Sequence, residues 1–230
     1  MLATRIGRAG GLAAIAALLL FAAAAAPLQA REKIYLGAGI VRASASGDLD
    51  GILVFRDVDH PVNGPLVHPG KLENGGGLTL LGGVMVLDWL GLELELNATR
   101  HDSTHNGLPG EKIDADLFSL IAAVRFLGAI TDSWEVFGRV GLGGHTLSYE
   151  NNTTVPGSSL RLDSELSGFG FMAGVGTAIL LGPVGIELSV SQHEVTFTDL
   201  DTADDHGDIP DADMSFTKVS LTLFVHFSPK

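Results

Sequence analysis

In the segment 215–227 every second residue from Val219 on is apolar: Val219, Leu221, Leu223, Val225 and Phe227. Ser220, Thr222, Phe224 and His226 stand between them, and Lys218 precedes them. Successive side chains of a strand point to opposite faces, so the segment predicts a strand with one apolar and one mostly polar face. The same pattern recurs upstream. At 33–42, Ile34, Leu36, Ala38 and Ile40 oppose Tyr35, Gly37 and Gly39. At 92–101, Leu92, Leu94, Leu96 and Ala98 alternate with Glu93, Glu95, Asn97 and Thr99. At 116–127, Phe118, Leu120, Ala122, Val124 and Phe126 oppose Leu117, Ser119, Ile121, Ala123 and Arg125. At 134–147, Trp134, Val136, Val140 and Leu142 oppose Glu135, Phe137, Arg139 and His145. At 165–180 a face of Phe169, Phe171, Ala173 and Val175 backs a face of glycines around Met172. At 184–197, Ile186, Leu188 and Val190 oppose Glu187, Ser189, Ser191 and His193. The segment 77–87 is apolar on both faces, so its inward side is not assigned by pattern.

These eight predicted strands are joined alternately by long and short connections. The long ones are 43–75, 101–113, 148–162 and the acidic stretch 199–213; the short ones are 88–91, 128–133 and 181–183. Strict alternation puts the long connections at one end and the short turns, with both chain termini, at the other. Two carboxylates on one face of 92–101 cannot point into lipid, so they point inward. Repeated segments of about ten residues with one apolar face, and no helix-period segment among them, predict an all-β, eight-stranded antiparallel up-and-down transmembrane barrel. Trp89, Phe126, Trp134 and Phe227 all fall beside the short-turn end, as an interfacial aromatic girdle requires. In a soluble sandwich their common placement would be coincidental.

The first 30 residues support this address. Arg5 and Arg8 precede an apolar run at 13–26, and Leu28-Gln29-Ala30 is an acceptable cleavage site, so 1–30 is expected to be a secretory signal peptide. The remaining 200 residues suffice for one barrel domain, 31–230. Without the leader the net charge moves from −13 to −15, which argues against a nucleic-acid partner. The chain has no cysteine, so disulfides, thiol-metal sites and a lipidated N-terminal cysteine are excluded.

Three motifs carry a family resemblance: YLGAGI at 35–40, FGRVGLGG at 137–144 and the closing VSLTLFVHF at 219–227. In this order and spacing the chain resembles the small eight-stranded outer-membrane barrels, the group that includes the membrane domain of outer-membrane protein A, outer-membrane protein X and the opacity-type adhesins. The resemblance spans essentially all of 31–230. It implies residence in the outer membrane of a Gram-negative envelope, among phospholipid and lipopolysaccharide. It also implies insertion by the outer-membrane assembly machinery, with Val219, Leu221, Leu223, Val225 and Phe227 as the recognised signal. A structural and surface-interaction role follows from it, with a surface ligand held through four outer loops and a monomeric state. A further implication is a lumenal network of acidic and basic residues. Arg125 with Glu93 or Glu95 matches it, while Glu187 stands where that pattern commonly has a basic residue.

The inward ionisable residues are Glu93, Glu95, Arg125, Glu135, Arg139 and Glu187. An eight-stranded interior is just wide enough for side chains to fill it, and charges buried there must pair. The bland reading is a structural plug; the sharper one is a narrow path for ions or small solutes. Ser191 and His193 share a face, but Glu194 lies on the other face. Glu187 is six residues from His193, roughly 20 Å along a strand, so no triad is expected and the chain is not read as an enzyme. Asp201, Asp204, Asp205 and Asp208 are weak candidates for a hard divalent cation, in a spacing unlike a calcium loop. No cofactor is expected.

Overall fold

The computed structural model describes residues 33–47, 49, 69–105, 112–151, 162–202 and 206–227. The leader at 1–30, the candidates Asp204 and Asp205, and the side chain of Asp208 lie outside the described residues. Nine strands follow in order: β1 (Lys33–Gly47), β2 (Pro69–Leu72), β3 (Gly75–Leu87), β4 (Leu90–His105), β5 (Lys112–Thr131), β6 (Trp134–Asn151), β7 (Leu162–Leu181), β8 (Val184–Thr202) and β9 (His206–Phe227). All are antiparallel to their neighbours, and the ring runs β1-β3-β4-β5-β6-β7-β8-β9 and back to β1. The ring is eight-stranded although nine segments are extended. The short β2 continues the line of β3 along the same edge of β4, pairing Leu72 with Ser103 where β3 pairs Gly76 with Arg100. Each of the eight long strands pairs with a neighbour on both sides, so the ring presents no open edge at the level of the belt, as a strand ring in hydrocarbon requires.

Each strand turns tightly at one end. The turns at 88–89, 132–133 and 182–183 are two residues long, and Gly182 takes a left-handed φ of 69° that most residues avoid. At the other end the strands run much further than the sequence pattern predicts. Extended structure in β9 begins at His206, and β8 continues to Thr202. The acidic stretch 199–213 is therefore mostly a paired hairpin, with Asp199 opposite Asp208, and not a loop. The prediction failed because strand detection relied on an apolar outer face, and that face ends before the strand does. With 22 residues, β9 is about 70 Å long, whereas crossing a bilayer takes about 9–11 residues.

Side chains sort cleanly to two sides. In the half nearest the short turns, the outer wall is apolar: Leu36 and Ile40 on β1, Leu94 on β4, Phe118 and Leu120 on β5, Leu188 and Val190 on β8, Leu221 and Leu223 on β9 are all exposed. The two-sided segment of β3 resolves with Thr79, Leu81 and Met85 inward and Leu78 and Leu80 outward. Beyond this belt the sorting reverses. Outward positions become Arg42, Arg100, Gln192, Glu194, Asp213 and Thr217, while inward ones become Leu117, Leu147, Tyr149, Leu166, Val195, Phe197, Met214 and Phe216, all buried.

The interior is thus stacked in three storeys. Tyr35, Leu81, Met85, Ala178 and Phe224 form an apolar cluster near the short turns. Ionic and polar groups fill the middle around a small patch of Ile121, Ala123 and Met172. A larger apolar cluster, including Leu117, Tyr149, Phe197 and Phe216, closes the far storey. In the narrow lower part, bulky rings lie against inward glycines on the neighbouring strand. A Cβ on Gly83 would fall 2.3 Å from Tyr35 Cζ, and one on Gly176 would fall 2.3 Å from Phe137 Cζ.

Candidate functional site

The middle storey holds the only concentration of buried charge among the described residues. Alternation on β4 aims Glu93 and Glu95 inward, β5 and β6 contribute Arg125 and Arg139, and Glu187 arrives from β8 across the lumen. Arg125 and Arg139 are register partners on adjacent strands, a like-charge pairing that repels unless it is bridged. Glu93 bridges them: its Oε2 lies 3.1 Å from Arg125 Nη1 and its Oε1 lies 2.8 Å from Arg139 Nη1. Glu187 adds a 2.7 Å contact to Arg125, and Glu95 a 2.9 Å contact to Arg139. Tyr35 donates its hydroxyl to Glu93 Oε2 at 2.9 Å, Asn97 donates to Glu95 at 2.7 Å, and Arg139 Nη2 donates to Ser189 at 3.0 Å. Phe137 packs beneath, its ring centroid 3.7 Å from the Arg125 guanidinium carbon.

Two placements differ from the sequence reading. Glu135 is not joined to this network. It sits half-buried toward the short-turn mouth, one inward position below Phe137, and makes no ion pair among the described residues. Alternation gives a residue's face but not its height relative to a partner on another strand. Conversely, Lys218 was not counted among the lumenal charges. It is 1% exposed and donates to Ser119 Oγ at 3.2 Å, and Ser119 Oγ in turn lies 2.9 Å from His145 Nδ1. Its inward position on the last strand was the available signal. With Glu135 apart and Lys218 included, three buried carboxylates (Glu93, Glu95 and Glu187) face three buried cations (Arg125, Arg139 and Lys218). Charge therefore balances at this level.

A barrel with an apolar belt, a ring closed on eight strands and an ionic interior accounts for what the comparison with family models finds. Residues 13–227 match the outer membrane protein beta-barrel domain. The chain belongs to this outer-membrane β-barrel family. Among solved structures it is similar to Neisserial surface protein A, at 15% identity and TM-score 0.54, over 84% of this chain and 97% of that one. It is similar to OprG from Pseudomonas aeruginosa at 13% identity and TM-score 0.59, over 87% and 98%. It is also similar to Ail, the attachment invasion locus protein of Yersinia pestis, solved with the heparin analogue sucrose octasulfate, at 14% identity and TM-score 0.50, over 86% and 99%. These identities speak for the fold alone. No curated protein matches the chain in sequence. The barrel is a protein of the bacterial outer membrane.

The remaining sequence candidates take definite places in this barrel. Trp89, Phe126, Trp134 and Phe227 are all outward and about half exposed beside the short turns. Trp89 stacks on Phe126 at 6.4 Å between centroids, and Trp134 Nε1 donates to Thr177 Oγ1 at 2.6 Å. Val219, Leu221, Leu223, Val225 and Phe227 form one outward row on β9. Ser191 Oγ does meet His193 Nε2, at 3.0 Å. Both are buried at lumenal mid-height, His193 Nδ1 has no hydrogen-bond partner among the described residues, and the ring stands edge-on to His145 at 5.9 Å. A serine–histidine pair with no acid on the far nitrogen lacks the group that would orient and charge-balance the imidazole. Asp201 is exposed on β8, and among the described residues no three acidic or imidazole side chains converge on a metal position.

Proposed function

We propose that this outer-membrane barrel is a structural and surface-contact protein of the envelope: a solid pillar that presents its long connections outward. The observation that carries this reading is the filled interior. A charge-balanced ionic plug stands between two apolar storeys, and the narrow lower part is packed ring against glycine. A lumen occupied in this way has no continuous wet path, and eight strands leave little room for one. In this reading the belt contacts outer-membrane lipid and lipopolysaccharide, the outward row of β9 serves the assembly machinery, and the barrel works as a monomer. Catalysis forms no part of it, because the Ser191–His193 pair lacks an acid and lies inside the wall. Reconstitution into planar bilayers tests the plug: we expect no sustained single-channel steps from the wild-type barrel, and steady ohmic conductance would overturn it.

One observation favours a second reading, a narrow ion path. Among the described residues Arg139 Nε, Glu187 Oε1 and Asn97 Oδ1 are buried without a hydrogen-bond partner, the kind of group that lumenal water satisfies. Conductance that falls in the Glu187→Gln variant would favour this second reading.

A further inference from the structure

The lumen opens at its short-turn end into a cup that the plug does not use. Its volume is about 420 Å³. Two of the short turns form part of the rim, with Asp88 and Pro183 at the mouth beside Ala129 near the end of β5. Met85, Leu127 and Leu180 line the wall, and Tyr35, Phe224 and His226 complete it as a mutually packed aromatic group with centroids 5.0–6.3 Å apart. Arg125 is the floor, and Glu93 and Glu187 hold it from above. Two carboxylates border this apolar space, Asp88 on the first turn and Glu135 on β6. Neither has a cationic partner among the described residues, in contrast to the paired carboxylates of the plug.

Apolar and aromatic walls with uncompensated negative charge at the mouth select one chemistry. An apolar body loses its water against the wall while its positive end stays at the rim, near the carboxylates and within reach of ring faces. A neutral ligand forgoes the rim attraction, and an anion is repelled by it. We propose that this cup is a binding site for a small organic cation, an ammonium or guanidinium group on a compact apolar body, reached from the short-turn, periplasmic side. The inference goes beyond the pillar role and does not depend on whether the lumen conducts, because the plug forms the cup's floor in either case.

The test uses the full barrel in phosphatidylcholine nanodiscs, whose zwitterionic surface does not itself collect cations. Benzylammonium, benzyl alcohol and benzoate serve as probes of similar shape, and saturation-transfer NMR titration is the readout. Benzylammonium should bind at least tenfold more tightly than benzyl alcohol, with benzoate weakest. The Asp88→Asn, Glu135→Gln double variant should lose that preference by about tenfold, and Leu180→Trp, which fills the cup, should abolish binding. Unboiled gel migration identical to wild type establishes that each variant is assembled. Should Leu180→Trp fail to assemble, the double variant decides alone, because it alters only side chains outside the plug. Equal binding of the three probes, or full affinity in the assembled double variant, overturns the proposal.

Discussion

The belt and the upper barrel are built from the same strands with opposite polarity. In the belt, Val219, Leu221 and Leu223 face outward while Lys218, Ser220 and Thr222 face the lumen. Directly above on the same strand, Thr217, Ser215 and Asp213 face outward while Phe216, Met214 and Ala212 are buried. β8 reverses at the matching level, between Val190 and Gln192 outside and between His193 and Val195 inside. Nothing in the backbone changes there, and the ladder between β8 and β9 runs through the level in register. What changes is the solvent outside. Where it is hydrocarbon, the wall is greasy and the polar groups pair within. Where it is water, the barrel has an ordinary hydrophobic core and a polar coat that includes Arg100 donating twice to Asp116 at 2.8 Å. Hydrogen bonds from Arg100 hold the Asp116 carboxyl below the usual carboxylate range. The two storeys therefore resist unfolding for different reasons, ion pairing in one and apolar burial in the other.

That contrast can be broken from either side, and the largest effect is expected in the plug. Glu93→Ala removes the carboxylate shared by Arg125 and Arg139, which keep Glu187 and Glu95, and leaves the plug one buried positive charge in excess, a loss of about 3–5 kcal/mol. Urea unfolding in phosphatidylcholine vesicles measures it, followed by the fluorescence of the two tryptophans. A loss under about 1 kcal/mol would mean that water already solvates those arginines. In the upper storey, Phe197→Ala costs about 3–5 kcal/mol through a cavity in the far apolar cluster. An unchanged midpoint in the same titration would mean that the upper core does not unfold together with the belt. The mildest pair lies on one strand. Leu36→Arg, facing hydrocarbon, costs about 2–4 kcal/mol, whereas Ser44→Arg, four outward positions higher, stays within about 0.5 kcal/mol. Similar costs for the two would mean that both positions face the same solvent.

The belt was legible in sequence because its two faces differ in kind: Leu92, Leu94 and Leu96 against Glu93, Glu95 and Asn97 leave one assignment open. The upper barrel was not, for the same reason. The pattern predicts a strand from Ser215, whereas β9 begins nine residues earlier at His206, where no apolar outer face marks it. Register was out of reach as well. Spacing along one strand cannot reveal that Arg125 stands beside Arg139, or that Tyr35 and Phe137 rest on Gly83 and Gly176. Glu135 shows the limit most clearly, because its face follows from alternation but its distance from a cationic partner does not. Lys218 shows the converse: it sits on the correct face, at the level where polarity turns over, next to the buried Phe216.

β1 and β9 pair from Ile34 with Phe227 up to Gly47 with Met214, so the seam joins the first strand of the ring to the last. A wall with that seam undone presents two rows of unpaired amides and carbonyls to hydrocarbon, at several kcal/mol for each group left without a partner. Partial rings are therefore not stable waypoints within the bilayer. The polypeptide has to be complete, with both ends in hand, before any of it can settle among lipids, and trimming a few residues from its final strand puts the whole cylinder at risk.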